Sequence, residues 1–257
     1  MAIEKINAFV LKTIPYRESS GIFYLLTKHH GLVHGIARGI RRKKSSASFL
    51  ERGFLIETLL YVKPNRELHT MGDAHVINYF PSTRREIVKS AMRDAAFETI
   101  LAAVSVGFPS PELYFVVTRF MTLLENQTCN NPRLLWSFYR EFSSSLGFGL
   151  DCNDCITCSK NLLNFSTSYL LIDKGGFVCK DCAQGKDVRN MIPSSVLAGL
   201  TLEVYGELLN NITVIESRRI TRLFASYCHY HCEKVLEHKA LDFLDIVLAE
   251  DNQFMAV

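Results

Sequence analysis

Cys155-x-x-Cys158 and Cys179-x-x-Cys182 are spaced to hold a metal ion. A Cys-x-x-Cys knuckle presents two thiolates from one tight turn, and a second knuckle some twenty residues on completes the tetrahedral four-sulfur site of a zinc ribbon. Cys152 overlaps the first knuckle, since it stands in the same spacing to Cys155; Cys155 with Cys158 is the favoured pair. Between the knuckles, Tyr169 to Ile172 read as a strand, Gly175 and Gly176 as a turn, and Phe177 and Val178 as the return. Four thiolates fill the coordination sphere and leave no position for a reactive water, so one structural Zn2+ per chain is expected. Cys228 and Cys232, one helical turn apart beside His229 and His231, read as core packing rather than a second metal site. The His231-x-Glu233 pattern follows both knuckles, which excludes the zinc-deaminase arrangement.

A charge asymmetry lies beneath the small net charge of +3. Residues 1–80 carry twelve Lys and Arg against six Asp and Glu, and the remainder seventeen against twenty. Arg38, Arg41, Arg42, Lys43 and Lys44 fall within seven positions, with Gly39 among them and Ser45 and Ser46 beyond. Such a run contacts phosphates without reading sequence, with strong salt dependence. Its plainer reading is a solvated loop.

The elements around this run read as a small barrel. Ile6 to Ile14, Ile22 to Thr27, Leu32 to Ala37, Phe54 to Val62 and Leu68 to Val76 are strand-length runs rich in β-branched and aromatic residues. His29-His30-Gly31 and Lys63-Pro64-Asn65-Arg66 supply turns, and the basic run occupies the long third connection. Five short strands suit an oligonucleotide-binding (OB) barrel over residues 1–80, with Phe9, Tyr16, Phe23, Tyr24 and Tyr61 as candidate base-stacking rings. After Pro81 the periodicity turns helical. Ile87 to Val104 form one helix, and Ser110-Pro111 and Asn131-Pro132 open two more. Helices resume after Pro193 and near Ser217, and an amphipathic helix closes the chain. The expected fold class is therefore α+β: a five-stranded OB barrel, then a helical domain over 81–257 with a ribbon inserted at about 150–185.

Ordered along the chain, these residues resemble the RecO family of bacterial recombination mediators. The likeness rests on Ala8-Phe9-Val10-Leu11, Pro15-Tyr16-Arg17-Glu18-Ser19, Leu26-Thr27 ahead of Gly31, and Ala37 to Arg42. It continues through Pro111 to Glu125, Leu146-Gly147-Phe148 ahead of Asp151 and the knuckles, and Lys239 to Leu244. The resemblance implies a DNA repair protein that binds single- and double-stranded DNA, anneals single strands, and works with RecR and the acidic tail of the single-strand-binding protein. It also favours Cys155, Cys158, Cys179 and Cys182 as ligands, because the family has no cysteine at the position of Cys152. Ser159 stands where the family often has glycine.

No Gly-x-Ser-x-Gly, Gly-x-x-x-x-Gly-Lys or His-Glu-x-x-His pattern is present, so a non-enzymatic role is expected. The sequence begins Met1-Ala2-Ile3-Glu4-Lys5 and enters no long apolar run, which points to a reducing cytoplasm without membrane attachment. Alternative functions are a protein-interaction adaptor and an RNA-binding barrel, each with a structural zinc.

Overall fold

The long first strand, β1 (Ala2–Tyr16), organises a barrel completed by β2 (Ser20–Thr27), β3 (Gly31–Ala37), β4 (Leu55–Val62) and β5 (Leu68–Asn78). The computed structural model describes residues 2–39, 50–62, 66–126, 133–183, 185, 188–202, 212–232 and 239–255. The strands close in the order β1-β2-β3-β5-β4. All neighbours are antiparallel except β3 and β5, where His34, Gly35 and Ile36 run parallel to Leu68, His69 and Thr70. This is the expected OB barrel. β1 pairs on both edges at once, with Ala8 opposite Thr27 and Ile56, and Phe9 opposite Leu26 and Leu55.

Strand alternation sends Ile6, Ala8 and Val10, Phe23 and Leu25, and Ile56 and Leu60 into one interior cluster, and a register shift between β4 and β5 brings both Met71 and Ala74 into it. A register shift between Val10 and Lys12 interrupts the alternation, and Phe9, Val10 and Leu11 are all buried. Phe9 packs against Phe80 and Tyr114, with ring centroids at 6.1 and 5.6 Å. Phe9 and Phe23 are fully buried, so they are core residues and not base-stacking rings. The turn proposed over Lys63, Pro64 and Asn65 lies outside the described residues.

The next elements are α1 (Pro81–Arg85), α2 (Ile87–Ala103) and α3 (Pro111–Asn126). Ser110 accepts a hydrogen bond from the Leu113 N–H at the start of α3 (3.3 Å). Near the other end of α3, Glu125 accepts from the Ser82 and Thr83 N–H groups at the N-terminus of α1. Gly31 joins the same assembly by close approach. At φ +61 it sits where an added Cβ would lie 1.9 Å from the Phe108 carbonyl oxygen.

Spatially the chain forms two compact units, Met1–Glu86 with Val104–Asn126, and Ile87–Ala103 with Gln127–Val257. The helices after residue 80 are thus shared, α1 and α3 belonging to the barrel unit and α2 to the other. That second unit adds α4 (Arg133–Ser145), α5 (Ser194–Leu202), α6 (Val214–Cys232) and α7 (Lys239–Met255). The Asn131-Pro132 start expected for α4 lies outside the described residues. α6 begins earlier than the Ser217 expectation, because Thr213 and Glu216 form a reciprocal cap: Thr213 accepts from the Glu216 N–H and Glu216 from the Thr213 N–H. Trp136 on α4 donates to Thr221 on α6 (2.7 Å), and Arg222 on α6 donates to Asp242 and Asp245 on α7. Between α4 and α5 lies a small sheet, in the order β7-β6-β8, made of β6 (Thr167–Leu171), β7 (Gly176–Cys179) and β8 (Met191–Pro193).

Candidate metal centre and nucleic-acid interface

The β6–β7 hairpin carries the second knuckle back over the first. Gly175, at φ 70, turns the chain, and Gly176 leaves room for Ile156, whose Cγ2 would lie 2.4 Å from an added Cβ. The Ile156 N–H donates to the Phe177 carbonyl (2.9 Å), tying the first knuckle to β7. The sulfur atoms of Cys155, Cys158, Cys179 and Cys182 consequently lie within 4.8 Å of one another. Cys152 is buried apart from them, its thiol directed to the Leu150 carbonyl and its pKa pushed up to about 12 by burial. Of the two overlapping pairs, the structure brings Cys155 and Cys158 together with the second knuckle. Cys228 is core, facing the Tyr139 carbonyl, and the four-cysteine group is the single cluster among the described residues that could hold a metal ion.

Charge within the four-sulfur cluster fits a cation. Burial opposes the Cys155 thiolate, but N–H groups of Cys179, Cys158 and Thr157 donate to it and bring its pKa to about 6. Hydrogen bonding to the Cys158 and Cys179 sulfurs pushes the Cys182 pKa up to about 12. Four sulfurs at this separation hold four negative charges only around a metal ion, and an all-thiolate tetrahedral donor set suits a soft or borderline ion. Ser159 takes the left-handed conformation (φ 56) and keeps the knuckle closed, its N–H donating to the Cys155 carbonyl. α6 grips the ribbon from outside. Arg219 donates to the Arg189 and Met191 carbonyls, and His231 to the Ile172 carbonyl.

On the barrel, the outward side chains of β1, β2 and β3 form successive rows. Phe9, Leu26 and Leu32 are buried; Lys12, Tyr24 and His34 come next; Ile14, Ile22 and Ile36 follow, half-buried. The Lys12 ammonium lies 5.7 Å from the Tyr24 ring, and the Tyr24 and His34 centroids are 4.2 Å apart. Beyond the isoleucines this face runs into a groove of about 1270 Å³ lined by the β1–β2 turn (Tyr16 to Ser20), the end of β3 (Ile36, Arg38, Gly39) and the start of β5 (Arg66, Glu67, Leu68 and Thr70).

Arg17, Arg38 and Arg66 are exposed along this groove, with the Arg17 guanidinium 5.3 Å from the Tyr16 ring. Arg17 has φ 52, a backbone conformation that costs a non-glycine residue. Of the predicted phosphate contacts, Arg38 lines the groove, and Arg41, Arg42, Lys43 and Lys44 lie outside the described residues. Arg17 and Arg66 were missed by sequence reasoning because they are isolated cations far apart in the chain. The parallel pairing of β3 with β5 brings them to one groove.

The comparisons with known proteins agree along most of the chain. The family description "Recombination protein O N terminal" matches residues 1–80, and "Recombination protein O C terminal" matches residues 84–240. A DNA repair protein RecO of Caldanaerobacter subterraneus is 25% identical over 249 residues, 95% of this chain and 98% of its own length. The corresponding proteins of Syntrophus aciditrophicus and Chlorobaculum parvum are 28% and 26% identical, over 88% and 96% of this chain and 91% and 99% of their own. The barrel, the ribbon between helices and these matches together place the chain in the RecO family of DNA repair proteins.

Proposed function

We propose that this protein is a non-enzymatic mediator of recombinational DNA repair that holds single-stranded DNA in the barrel groove and anneals complementary strands. The observation that carries this reading is the convergence of Arg17, Arg38 and Arg66 on one groove at the end of a half-exposed face bearing Tyr24 and His34. Guanidinium groups neutralise phosphates and lower the repulsion between two polyanions, while rings and apolar side chains accept unstacked bases. Arg41, Arg42, Lys43 and Lys44 follow Arg38 in sequence and are further phosphate contacts in this reading. Duplex DNA binds through the same phosphate contacts. RecR and the acidic tail of the single-strand-binding protein are the partners in this reading, as the family membership suggests.

The ion at Cys155, Cys158, Cys179 and Cys182 is Zn2+ in this reading, and it braces the ribbon rather than reacting. A ribbon of this size has little core of its own, so metal supplies much of its stability. Reduced thiols are kept in the cytoplasm, the compartment this reading implies. Among the described residues no helix is long and apolar enough to cross a membrane.

A strand-annealing assay with metal analysis tests this reading. The wild-type protein is expected to carry zinc and to accelerate annealing of complementary oligonucleotides, and the R17E/R38E/R66E variant to keep its zinc and lose the acceleration. Full annealing by that variant would refute the groove assignment.

A further inference from the structure

The outside of the barrel carries a belt of residues without charge. Ile14 on β1 stands opposite Ile22 on β2, Ile22 opposite Ile36 on β3, and Ile36 beside Thr70 on β5. Thr70 in turn faces Tyr61 on β4, and Tyr61 faces Ile3 at the start of β1, so the belt crosses all the strands and returns to the first. Outward positions of such strands ordinarily take polar residues, because they meet water. Here all but Thr70 are isoleucine or tyrosine, none is fully buried, and Ile3 is 60% exposed. Ile36 and Thr70 also line the arginine groove, so the belt passes through it and continues beyond β5 to Tyr61. Gly72 of β5 makes room for that ring. A Cβ there would lie 3.2 Å from both Tyr61 Cε2 and Leu59 Cβ, so the tyrosine leans over β5 with the exposed Leu59 beside it.

We propose that Tyr61 stacks a base of a single strand that leaves the groove across β5, and that Leu59 and Ile3 complete the shelf on which the strand lies. The inference rests on the reading that the groove holds nucleic acid. At about 4.8 Å per strand, Tyr61 lies roughly 10 Å around the barrel from Ile36, a distance one nucleic-acid chain covers within the usual site of about 4–16 nucleotides. The path then runs from Tyr24 and His34, over the groove, to Tyr61. Guanidiniums fix phosphates in the middle, and the uncharged belt takes the faces of unstacked bases on either side. A duplex keeps its bases stacked on one another, so the shelf adds affinity for single strands only.

The test measures affinity of the full chain for oligo(dT) of increasing length, and for a relaxed circular duplex, in wild type, Y61L, Y61W and R17E/R38E/R66E. Leucine keeps apolar bulk at this half-buried position and tryptophan keeps a stacking face. Short oligonucleotides that fill only the groove are expected to bind wild type and Y61L alike. Once the oligonucleotide is long enough to reach β4, wild type and Y61W should gain about tenfold over Y61L. The salt slope should be the same in all three, because stacking releases no counterions, and duplex affinity should not change. If the arginine variant loses binding while Y61L matches wild type at every length, the groove holds DNA but the strand does not reach Tyr61, and the inference is overturned. An equal loss of duplex and single-strand binding in Y61L would make Tyr61 structural and overturn it as well. If the arginine variant binds normally, the groove reading fails and the inference falls with it.

Discussion

The Tyr24 and His34 rings lie 4.2 Å apart at paired positions of β2 and β3, with Lys12 beside Tyr24 on β1 and the charge of Glu67 reaching His34 from the entrance to β5. Burial lowers the His34 pKa below the usual 6.5, against the smaller opposing effect of Glu67. A lowered histidine pKa means that folding favours the neutral ring. Its contribution is complete above about pH 6.5, the unfolded value, and is lost as pH falls through the lower folded value. Bound phosphate acts in the opposite sense by favouring the imidazolium. Melting temperature against pH should therefore fall less steeply below pH 6.5 in H34Q than in wild type, and adding single-stranded DNA should restore part of the wild-type loss.

Arg17 separates stability from function. Its φ of 52 suits glycine, so R17G should be more stable than R17A by about 1 kcal/mol in denaturant unfolding. Both variants should bind single strands more weakly than wild type, because both lack the guanidinium. Equal stability of the two would show that the turn carries no strain at this position.

Metal removal should loosen the ribbon together with the helix that grips it. Chelation is expected to lower the melting temperature and to raise amide exchange at β6 and β7, followed by the ends of α6 that hold the Met191 and Ile172 carbonyls. C158S should lose the metal. C152S should retain it, since Cys152 lies outside the four-sulfur group.

Ser159 offers a simple gain. It occupies a left-handed position (φ 56) in the first knuckle, where glycine pays no steric cost. S159G should raise stability by up to about 1 kcal/mol without changing metal content.

The four-cysteine cluster was legible in the sequence because its members come as two pairs, each fixed by a local turn, and because Gly175 and Gly176 mark the fold-back. The barrel was legible for a similar reason: strand-length apolar runs separated by turn residues leave few alternatives. The groove was not. Arg17, Arg38 and Arg66 share no motif, and they meet only through a parallel pairing of strands that no local pattern announces. Of the base-stacking candidates, Phe23 turns into the barrel, Phe9 lies on the outer face but is covered by Phe80 and Tyr114, and Tyr16, Tyr24 and Tyr61 are partly exposed; the register shift after Val10 disturbs any alternation counted from β1. β8 has only three residues and gave no signal. The helical period of α3 showed which side of it is buried, but not that the helix belongs with the barrel.

The central claim is that the arginines of the barrel groove contact the phosphates of single-stranded DNA. It is tested most directly by measuring affinity for a single-stranded oligonucleotide as a function of salt, in wild type and in R17A/R38A/R66A. Each lost phosphate contact should reduce the slope of log affinity against log salt by about 0.7, so the triple variant should be shallower by roughly 2. An unchanged slope in a folded, metal-loaded variant would contradict the account.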